Sequence, residues 1–192
     1  MINLLDKYGN RKYLVANERE RFIEQAKQAD PETRTFCFLL YYTGIRISEG
    51  INILVPHVDY ENKAITIESL KKRKKGIYRQ IPLPLNFLDE LNWIHKVKKR
   101  QRLKGERKRK VWNWARNTAY LRVKGVMKKA NVEGVQATPK GLRHGFAIHC
   151  LEKQVPLNIL SKWMGHSSLE VTAIYANALG EEERIIAARI WE

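Results

Sequence analysis

Two arginine-containing segments of the chain have the residue types and the spacing to bind an anion. In the first, Thr43-Gly-Ile-Arg-Ile-Ser-Glu49, Arg46 follows a glycine break at the start of a predicted helix. Its guanidinium can reach outward, and Glu49, three residues later, is close enough to orient it. Guanidinium groups bind phosphate oxygens bidentately and stay charged at any working pH. The same spacing is also typical of a routine surface ion pair.

The second segment is Thr138-Pro-Lys-Gly-Leu-Arg-His-Gly-Phe-Ala147, which predicts a helix start because proline suits the first turn. Lys140 and Arg143 are three residues apart and therefore share one face of this helix. His144 lies beside them but points about 100° away from Arg143. The alternative is a basic helix start that contacts nucleic acid and has no catalytic role.

A histidine and a tyrosine stand close together near the end of the chain. Gly165 ends one predicted helix, His166 lies in the turn, and Ser167 or Ser168 caps the next helix, which carries Tyr175. A tyrosine hydroxyl can act as a covalent nucleophile. A lone helical tyrosine is far more often a packed aromatic side chain, so this segment decides nothing by itself.

Lysine and arginine fill a short stretch between two segments of alternating hydrophobicity, Ala64–Leu70 and Ile77–Leu83. The alternation predicts a β-hairpin with a charged tip. Pro82 is expected on an edge strand or at its end, because proline cannot donate to a neighbouring strand. Such a ribbon can present a lysine into a groove beside a phosphate. The alternative is a solvated turn that makes only nonspecific phosphate contacts.

Helical periodicity covers most of the remaining chain. Helices are predicted at about residues 17–29 and 32–43, and two further helices are predicted to begin at residues 46 and 84. The remaining predicted helices cover about residues 114–130, 139–152, 157–163, 168–178 and 181–190. The helix from 84 should bury a stripe formed by Leu85, Leu88, Leu91 and Ile94, and the basic run Lys96–Lys110 is predicted to be a loop. The expected fold class is mainly α with a small antiparallel β-hairpin or sheet, which is an α+β fold.

The overall charge indicates a polyanionic partner. The chain has 192 residues, enough for one domain with a real core, and a formal net charge of +16. Nucleic acid is the commonest partner of so basic a protein, although ribosomal and membrane-surface proteins share the bias. Cys37 and Cys150 lack metal-ligand spacing and predict free thiols in a reducing compartment. No apolar run approaches the ~20 residues that a membrane span needs, and no secretory signal is visible. A cytoplasmic protein without metal or cofactor is therefore expected.

Taken together and in this order, the motifs resemble the phage integrase and Xer family of tyrosine recombinases. The resemblance rests on the sequence motifs TGIRISE, GLRHGFA and MGHSSLEVTAIYA and runs from about residue 14 to 178. It implies a tyrosine recombinase catalytic-domain fold over residues 16–179, preceded by a lead-in at 1–15. A C-terminal helix at 180–192 would pack on its own domain or dock on a neighbouring subunit.

The resemblance also implies a reaction and roles in it. The family cleaves and rejoins DNA through a 3′-phosphotyrosine, which assigns Tyr175 as nucleophile, Arg46 and Arg143 as a phosphate clamp, and His166 as a further phosphate ligand. A hairpin lysine would protonate the departing 5′-oxygen. Counting from Ile65 gives Lys71, which is favoured, and counting back from Ile81 gives Lys74. Supporting roles fall to Glu49 and His144, and DNA contacts to Lys72, Arg73, Lys75 and Arg79.

One position departs from the family pattern. Most members have a histidine where this chain has Lys140, which keeps a cation but is no general base near neutral pH unless its pKa falls sharply. His144 would be a poor substitute because of its direction on the helix. Two alternatives therefore stay open: a DNA-binding accessory protein with impaired catalysis, and DNA relaxation like that of a type IB topoisomerase.

The expected partner is double-stranded DNA, with self-association on it as a dimer or tetramer. Most family members also have an N-terminal helical domain that clamps the opposite face of the DNA. The roughly fifteen residues before the predicted catalytic fold cannot form one. Either the sequence is the catalytic part of a longer protein, or the natural protein lacks this clamp.

Overall fold

Helices dominate the computed structural model, which describes residues 4–69, 76–166, 168–176 and 188. The helices are α1 (Ala16–Lys27), α2 (Pro31–Thr43), α3 (Ile47–Gly50), α4 (Leu85–His95), α5 (Val97–Gln101), α6 (Arg116–Lys129), α7 (Pro139–Glu152), α8 (Leu157–Met164) and α9 (Glu170–Ala176). The strands are β1 (Val58–Asp59), β2 (Ala64–Glu68) and β3 (Tyr78–Pro82), and short 3₁₀ turns occupy Val55–His57 and Lys104–Glu106. The predicted fold class is confirmed.

Helix α2 lies at the centre of the fold, packed against α1, α4, α6 and α7. Its start is fixed by Asp30, whose carboxylate accepts a hydrogen bond from the Thr33 backbone N–H at 3.1 Å. Its end is fixed by Gly44, which adopts a left-handed φ of 59°. Between these ends, Phe36, Leu39 and other apolar side chains are buried. The turn at Gly44 leads directly into the segment that carries Arg46.

The small sheet is antiparallel with the order β1-β2-β3, so β3 is an edge strand. Pro82 lies at the end of that strand, as predicted. On the inner face, Ile65 and Ile67 of β2 pair with Ile81 and Arg79 of β3, and all four are buried. The predicted hairpin is therefore confirmed at its base. Its basic tip, with Lys71, Lys72, Arg73, Lys74 and Lys75, lies outside the described residues.

Two local predictions are wrong. Residues 96–110 do not form a simple loop, because α5 inserts Val97 into the core and Arg100 pairs with Glu106 at 2.7 Å. On α4, Leu88 and Leu91 of the stripe are buried together with Phe87, but Leu85 is 56% exposed. A strict three-residue spacing drifts around a helix of 3.6 residues per turn, so it cannot stay on the core side.

The predicted lead-in is packed onto the fold from residue 4 onward. Leu4 and Leu14 are buried, and the Leu14 backbone N–H donates to the Gly141 carbonyl at 3.2 Å. Helix α1 begins at Ala16 rather than at the predicted residue 17, because the Glu18 carboxylate accepts the Val15 N–H at 3.1 Å. The N-terminal segment thus runs beside the beginning of α7.

The buried apolar side chains form two clusters. The larger one surrounds α2 and the inner face of the sheet, and the smaller one joins α7, α8 and α9 with Leu4. Tyr175 belongs to the smaller cluster and is 0% exposed. Cys37 and Cys150 are both buried and free, in agreement with the prediction. Among the described residues no helix has the length and apolarity needed to cross a membrane.

Close packing of the N-terminal segment predicts that Gly145→Ala destabilises the protein. A Cβ at this position would lie 2.4 Å from the Leu14 carbonyl oxygen, so backbone must move. We expect a loss of about 1–3 kcal/mol, the usual cost of overpacking. The matched control is Gly125→Ala, also inside a helix, where an added Cβ meets nothing within 4 Å. It should stabilise the fold by about 0.5–1 kcal/mol. Urea denaturation measures both, and equal stability of the two variants would contradict this packing.

Candidate active site

An open cleft of about 740 Å³ brings most of the predicted site residues together. Those that line it are Arg46, Lys140, Arg143, His144, His166 and Tyr175. Lys12, Arg116 and Tyr120 also line the cleft and were missed by the sequence analysis. They lie outside the recognisable motifs, and only the folded chain places the N-terminal segment and α6 beside α7. Among the described residues, five lysine and arginine side chains therefore line the cleft: Lys12, Arg46, Arg116, Lys140 and Arg143.

Arg143 forms the floor of this cleft and is held by backbone carbonyls on two sides. Its Nη1 donates to the Gly44 carbonyl and its Nη2 to the Met164 carbonyl, each at 2.7 Å. Burial, reinforced by the charge of Arg46, lowers the pKa of Arg143 to about 10. The guanidinium therefore stays charged at neutral pH. Its geometry is fixed before any ligand arrives.

Arg46 is oriented by Glu49, as the spacing predicted. The Glu49 carboxylate accepts the Arg46 backbone N–H at 2.9 Å and its Nη1 at 3.0 Å. It also accepts Nη2 of Arg79 at 2.8 Å. Burial alone would raise the pKa of Glu49, but the hydrogen bonds and charges of Arg79 and Arg46 hold it below its usual value. One buried carboxylate thus neutralises part of the charge of two arginines.

The prediction that Arg79 contacts DNA needs correction. Its side chain is 5% exposed and its polar atoms are occupied inside the protein. Besides Glu49, Nε donates to the Trp163 carbonyl at 2.8 Å and Nη1 to the Ser69 hydroxyl at 3.1 Å. Arg79 therefore ties together α3, α8 and the base of the hairpin. The signal was present in the sequence, since Arg79 and Ile81 are two residues apart in a strand and share its buried face.

His166 follows a tight turn and has both ring nitrogens engaged. Nη2 of Arg143 lies 3.3 Å from Nε2, and the Thr172 hydroxyl lies 2.9 Å from Nδ1. Because arginine can only donate, Nε2 accepts and Nδ1 carries the proton. Burial and the charge of Arg143 lower the pKa of His166 to about 3, so the ring is neutral. Gly165 has a φ of 62°, and a Cβ there would lie 2.9 Å from the Arg79 guanidinium.

Tyr175 lies against both histidines of the cleft. Its hydroxyl oxygen is 2.8 Å from Nδ1 of His144, and its ring is stacked with His166 at a centroid distance of 6.1 Å. Burial raises the pKa of Tyr175 to about 12, although Arg143 and Arg46 act in the opposite direction. The hydroxyl is therefore protonated at neutral pH in this structure.

The expectation that His144 points away from the site is wrong. His144 does point away from Arg143 around the helix axis. Helix α9 packs along that side of α7, however, and places the Tyr175 hydroxyl against the His144 ring. Burial and the nearby charge of Lys140 lower the pKa of His144 to about 4, which leaves the ring neutral. Lys140 itself is exposed in the first turn of α7 and lines the cleft.

Solved structures of tyrosine recombinase catalytic domains share this fold. The crystal structure of XerA recombinase aligns with a TM-score of 0.74 at 23% identity, over 92% of this chain and 64% of the other. The catalytic domain of bacteriophage HP1 integrase aligns with a TM-score of 0.65 at 22% identity, over 91% and 93%. XerH bound to its palindromic difH substrate aligns with a TM-score of 0.76 at 21% identity, over 97% and 55%.

The chain belongs to the phage integrase family, whose model matches residues 12–182. It is 31% identical to the tyrosine recombinase XerA of Thermococcus kodakarensis over 177 residues, which cover 90% of this chain and 60% of that protein. It is 30% identical to XerA of Pyrococcus furiosus over 174 residues, or 85% and 56% of the two chains. The chain thus spans a little over half of the length of these curated relatives.

The contacts of Arg79 predict that it supports the fold and does not bind DNA. Arg79→Leu leaves Glu49 buried with one partner fewer, and should destabilise the protein by about 3–5 kcal/mol. The double variant Arg79→Leu/Glu49→Leu removes the stranded carboxylate and should recover most of that loss. Urea denaturation gives the stabilities, and fluorescence anisotropy on a DNA duplex gives the affinity of the folded fraction. A fall in DNA affinity at unchanged stability would instead make Arg79 a DNA contact.

Proposed function

We propose that this chain is the catalytic domain of a site-specific DNA recombinase, which cleaves and rejoins strands through a 3′-phosphotyrosine formed on Tyr175. The observation that carries the proposal is the convergence of Tyr175 with Arg46, Arg143 and His166 in one cationic cleft. Integration or excision of a mobile element is the setting in which we place the reaction. The family and the named recombinases among its relatives support this assignment.

The clamp acts on the scissile phosphate. Arg46 and Arg143 both carry positive charge and repel one another across the cleft. An anion that binds between them would offset this repulsion. A phosphodiester would bridge them through its nonbridging oxygens, where charge increases as the tyrosine attacks. Because Arg143 is nearly fully buried, its interaction with that charge is weakly screened by water. His166 would bind the same phosphate through Nε2 once its proton moves there from Nδ1 and its contact with Arg143 breaks.

The remaining steps involve bonds to the phosphorus. The Tyr175 oxygen would bond to the phosphorus while the bond to the 5′-oxygen breaks, and that oxygen leaves with a proton. We assign this proton to Lys71, with Lys74 as the alternative. The base of the hairpin lies at the site, because Arg79 of β3 donates hydrogen bonds to both Glu49 and Ser69. Both lysines lie outside the described residues. Reversal of the same steps with a different 5′-hydroxyl joins the new strand.

Double-stranded DNA is the proposed partner. The net charge of +16 and the cleft cations Lys12, Arg116 and Lys140 favour a polyanion. Lys72, Arg73 and Lys75 at the hairpin tip are proposed as further DNA contacts. Self-association on DNA, as a dimer or tetramer, belongs to the same proposal, with residues 180–192 as the docking tail. The named recombinases among the relatives favour recombination over the accessory-protein and topoisomerase alternatives, although Lys140 in the cleft was one ground for the first of them.

Covalent trapping on a nicked duplex tests the reaction. The short 5′ fragment of such a suicide substrate diffuses away after attack, so the protein–DNA adduct accumulates. With candidate sites from the DNA that flanks the gene, the wild type should give a slow band on a denaturing gel, and Tyr175→Phe should give none. An adduct that persists in Tyr175→Phe would contradict the assignment of the nucleophile. Binding of the same DNA without any adduct from the wild type would favour the accessory role.

The clamp is tested by Arg46→Ala and Arg143→Ala in the same assay. Each removes a guanidinium that stabilises charge on the phosphate, so adduct formation should slow by at least about 100-fold. Nonspecific DNA affinity, measured by anisotropy, should change far less, because many other cations contribute to it. The control is Arg102→Ala, an exposed arginine away from the cleft. Parallel losses of affinity and rate in all three variants would count against a catalytic clamp.

A further inference from the structure

We propose that His144 accepts the proton of the Tyr175 hydroxyl as the tyrosine attacks, and returns it when the strand is rejoined. The inference rests on the proposed function and adds a residue to it. The contact that carries it joins Nδ1 of His144 to the Tyr175 hydroxyl oxygen at 2.8 Å. Both side chains line the cleft, so the contact lies at the reacting atom itself.

The proposed transfer requires the tautomer of His144 that has its proton on Nε2. A tyrosine hydroxyl that donates to Nδ1 requires a lone pair there, so the proton of the neutral ring is on Nε2. Nε2 is buried and has no hydrogen-bond partner within the described part of the chain. Among the described residues, no hydrogen bond to Nε2 therefore opposes the ring orientation that directs Nδ1 at Tyr175. The lone pair of Nδ1 is directed at the one hydroxyl that must lose its proton.

The other candidates for this proton are less suitable. His166 uses Nε2 for Arg143 and has its proton on Nδ1, beside the Thr172 hydroxyl. The Glu49 carboxylate is locked between Arg46 and Arg79. Lys140, at the position where the family pattern has a histidine, is cationic in the exposed first turn of α7. Of the described residues that line the cleft, His144 is the neutral base in contact with the hydroxyl.

The surroundings of His144 suit a base that acts only during attack. Burial, with the charges of Lys140, Arg143 and Lys12, lowers the pKa of the ring to about 4, so its lone pair is available at neutral pH. Burial also raises the pKa of Tyr175 to about 12, so the proton stays on oxygen at rest. As the bond to phosphorus forms, the phenolic oxygen loses its affinity for the proton. The entering phosphate also brings negative charge that stabilises the imidazolium.

The proton balance of the step is complete. The bond between the Tyr175 oxygen and the phosphorus forms, and the bond from phosphorus to the 5′-oxygen breaks. The phenolic proton moves to Nδ1 of His144, and the hairpin lysine gives a separate proton to the 5′-oxygen. In rejoining, a 5′-hydroxyl attacks the phosphorus and gives its proton back to the hairpin lysine, while the bond from phosphorus to the Tyr175 oxygen breaks and that oxygen takes the proton from His144.

His144→Asn separates a proton acceptor from a simple positioning contact. The Asn oxygen lies near the position of Nδ1 and can accept the hydroxyl hydrogen bond, but it cannot take up the proton. Adduct formation on the suicide substrate should slow by about 10²–10⁴-fold. Replacing Tyr175 with difluorotyrosine, whose hydroxyl ionises more readily, should recover at least tenfold of this loss. A rate within threefold of the wild type, or a loss that the fluorinated residue leaves unchanged, would overturn the role as proton acceptor.

A substrate with sulfur at the 5′-bridging position isolates this proton from the other one. Its thiolate leaves without a proton, so Lys71→Ala should be restored by the sulfur substrate and His144→Asn should not. A solvent isotope effect tests the same point in the wild-type protein. On the sulfur substrate, its reaction should be slower in D₂O than in H₂O, because only the Tyr175 proton moves. Equal rates in the two solvents would contradict the proposal. Absence of any wild-type adduct would overturn the proposed function itself.

Discussion

The buried carboxylate of Glu49 makes the concentration of positive charge in this protein possible. Arg46 and Arg79 both bind it, and Arg143 lies close enough to feel its charge. Without a shared anion, three guanidinium groups could not stay together away from water. One negative charge balances part of that repulsion and leaves the remainder directed into the cleft. The charge that the cleft presents and the stability of the fold thus depend on the same hydrogen bonds.

Local motifs encode most of the residues of the site. The segments around Arg46, Arg143, His166 and Tyr175 were singled out by residue type, received their roles from the family resemblance, and meet in one cleft. The helices that carry them follow from caps and periodicity. A helix start beside a glycine break, or a glycine that ends a helix, leaves a signal within a few residues. Such signals do not depend on the rest of the fold.

Interactions between distant elements could not be predicted in the same way. His144 was judged by its angle on α7 alone, whereas the packing of α9 decides what it touches. Arg79 was expected to contact DNA together with the lysines and arginine of the hairpin tip, although its strand turns it toward Glu49, thirty residues away. Lys12 and Arg116 reach the cleft only because the N-terminal segment and α6 fold beside α7. No local pattern contains that information.

The two carbonyl contacts of Arg143 make the assembly of the site depend on parts of the chain that are far apart in sequence. One acceptor, at Gly44, ends α2, and the other, at Met164, ends α8, so they are far apart in the chain. The guanidinium reaches its position only when α2, α7 and α8 are docked together. A nascent or partly unfolded chain therefore has its cations but no organised clamp. On the proposed function, such a chain could adhere to DNA but could not cut it, so strand cleavage would depend on a completed fold.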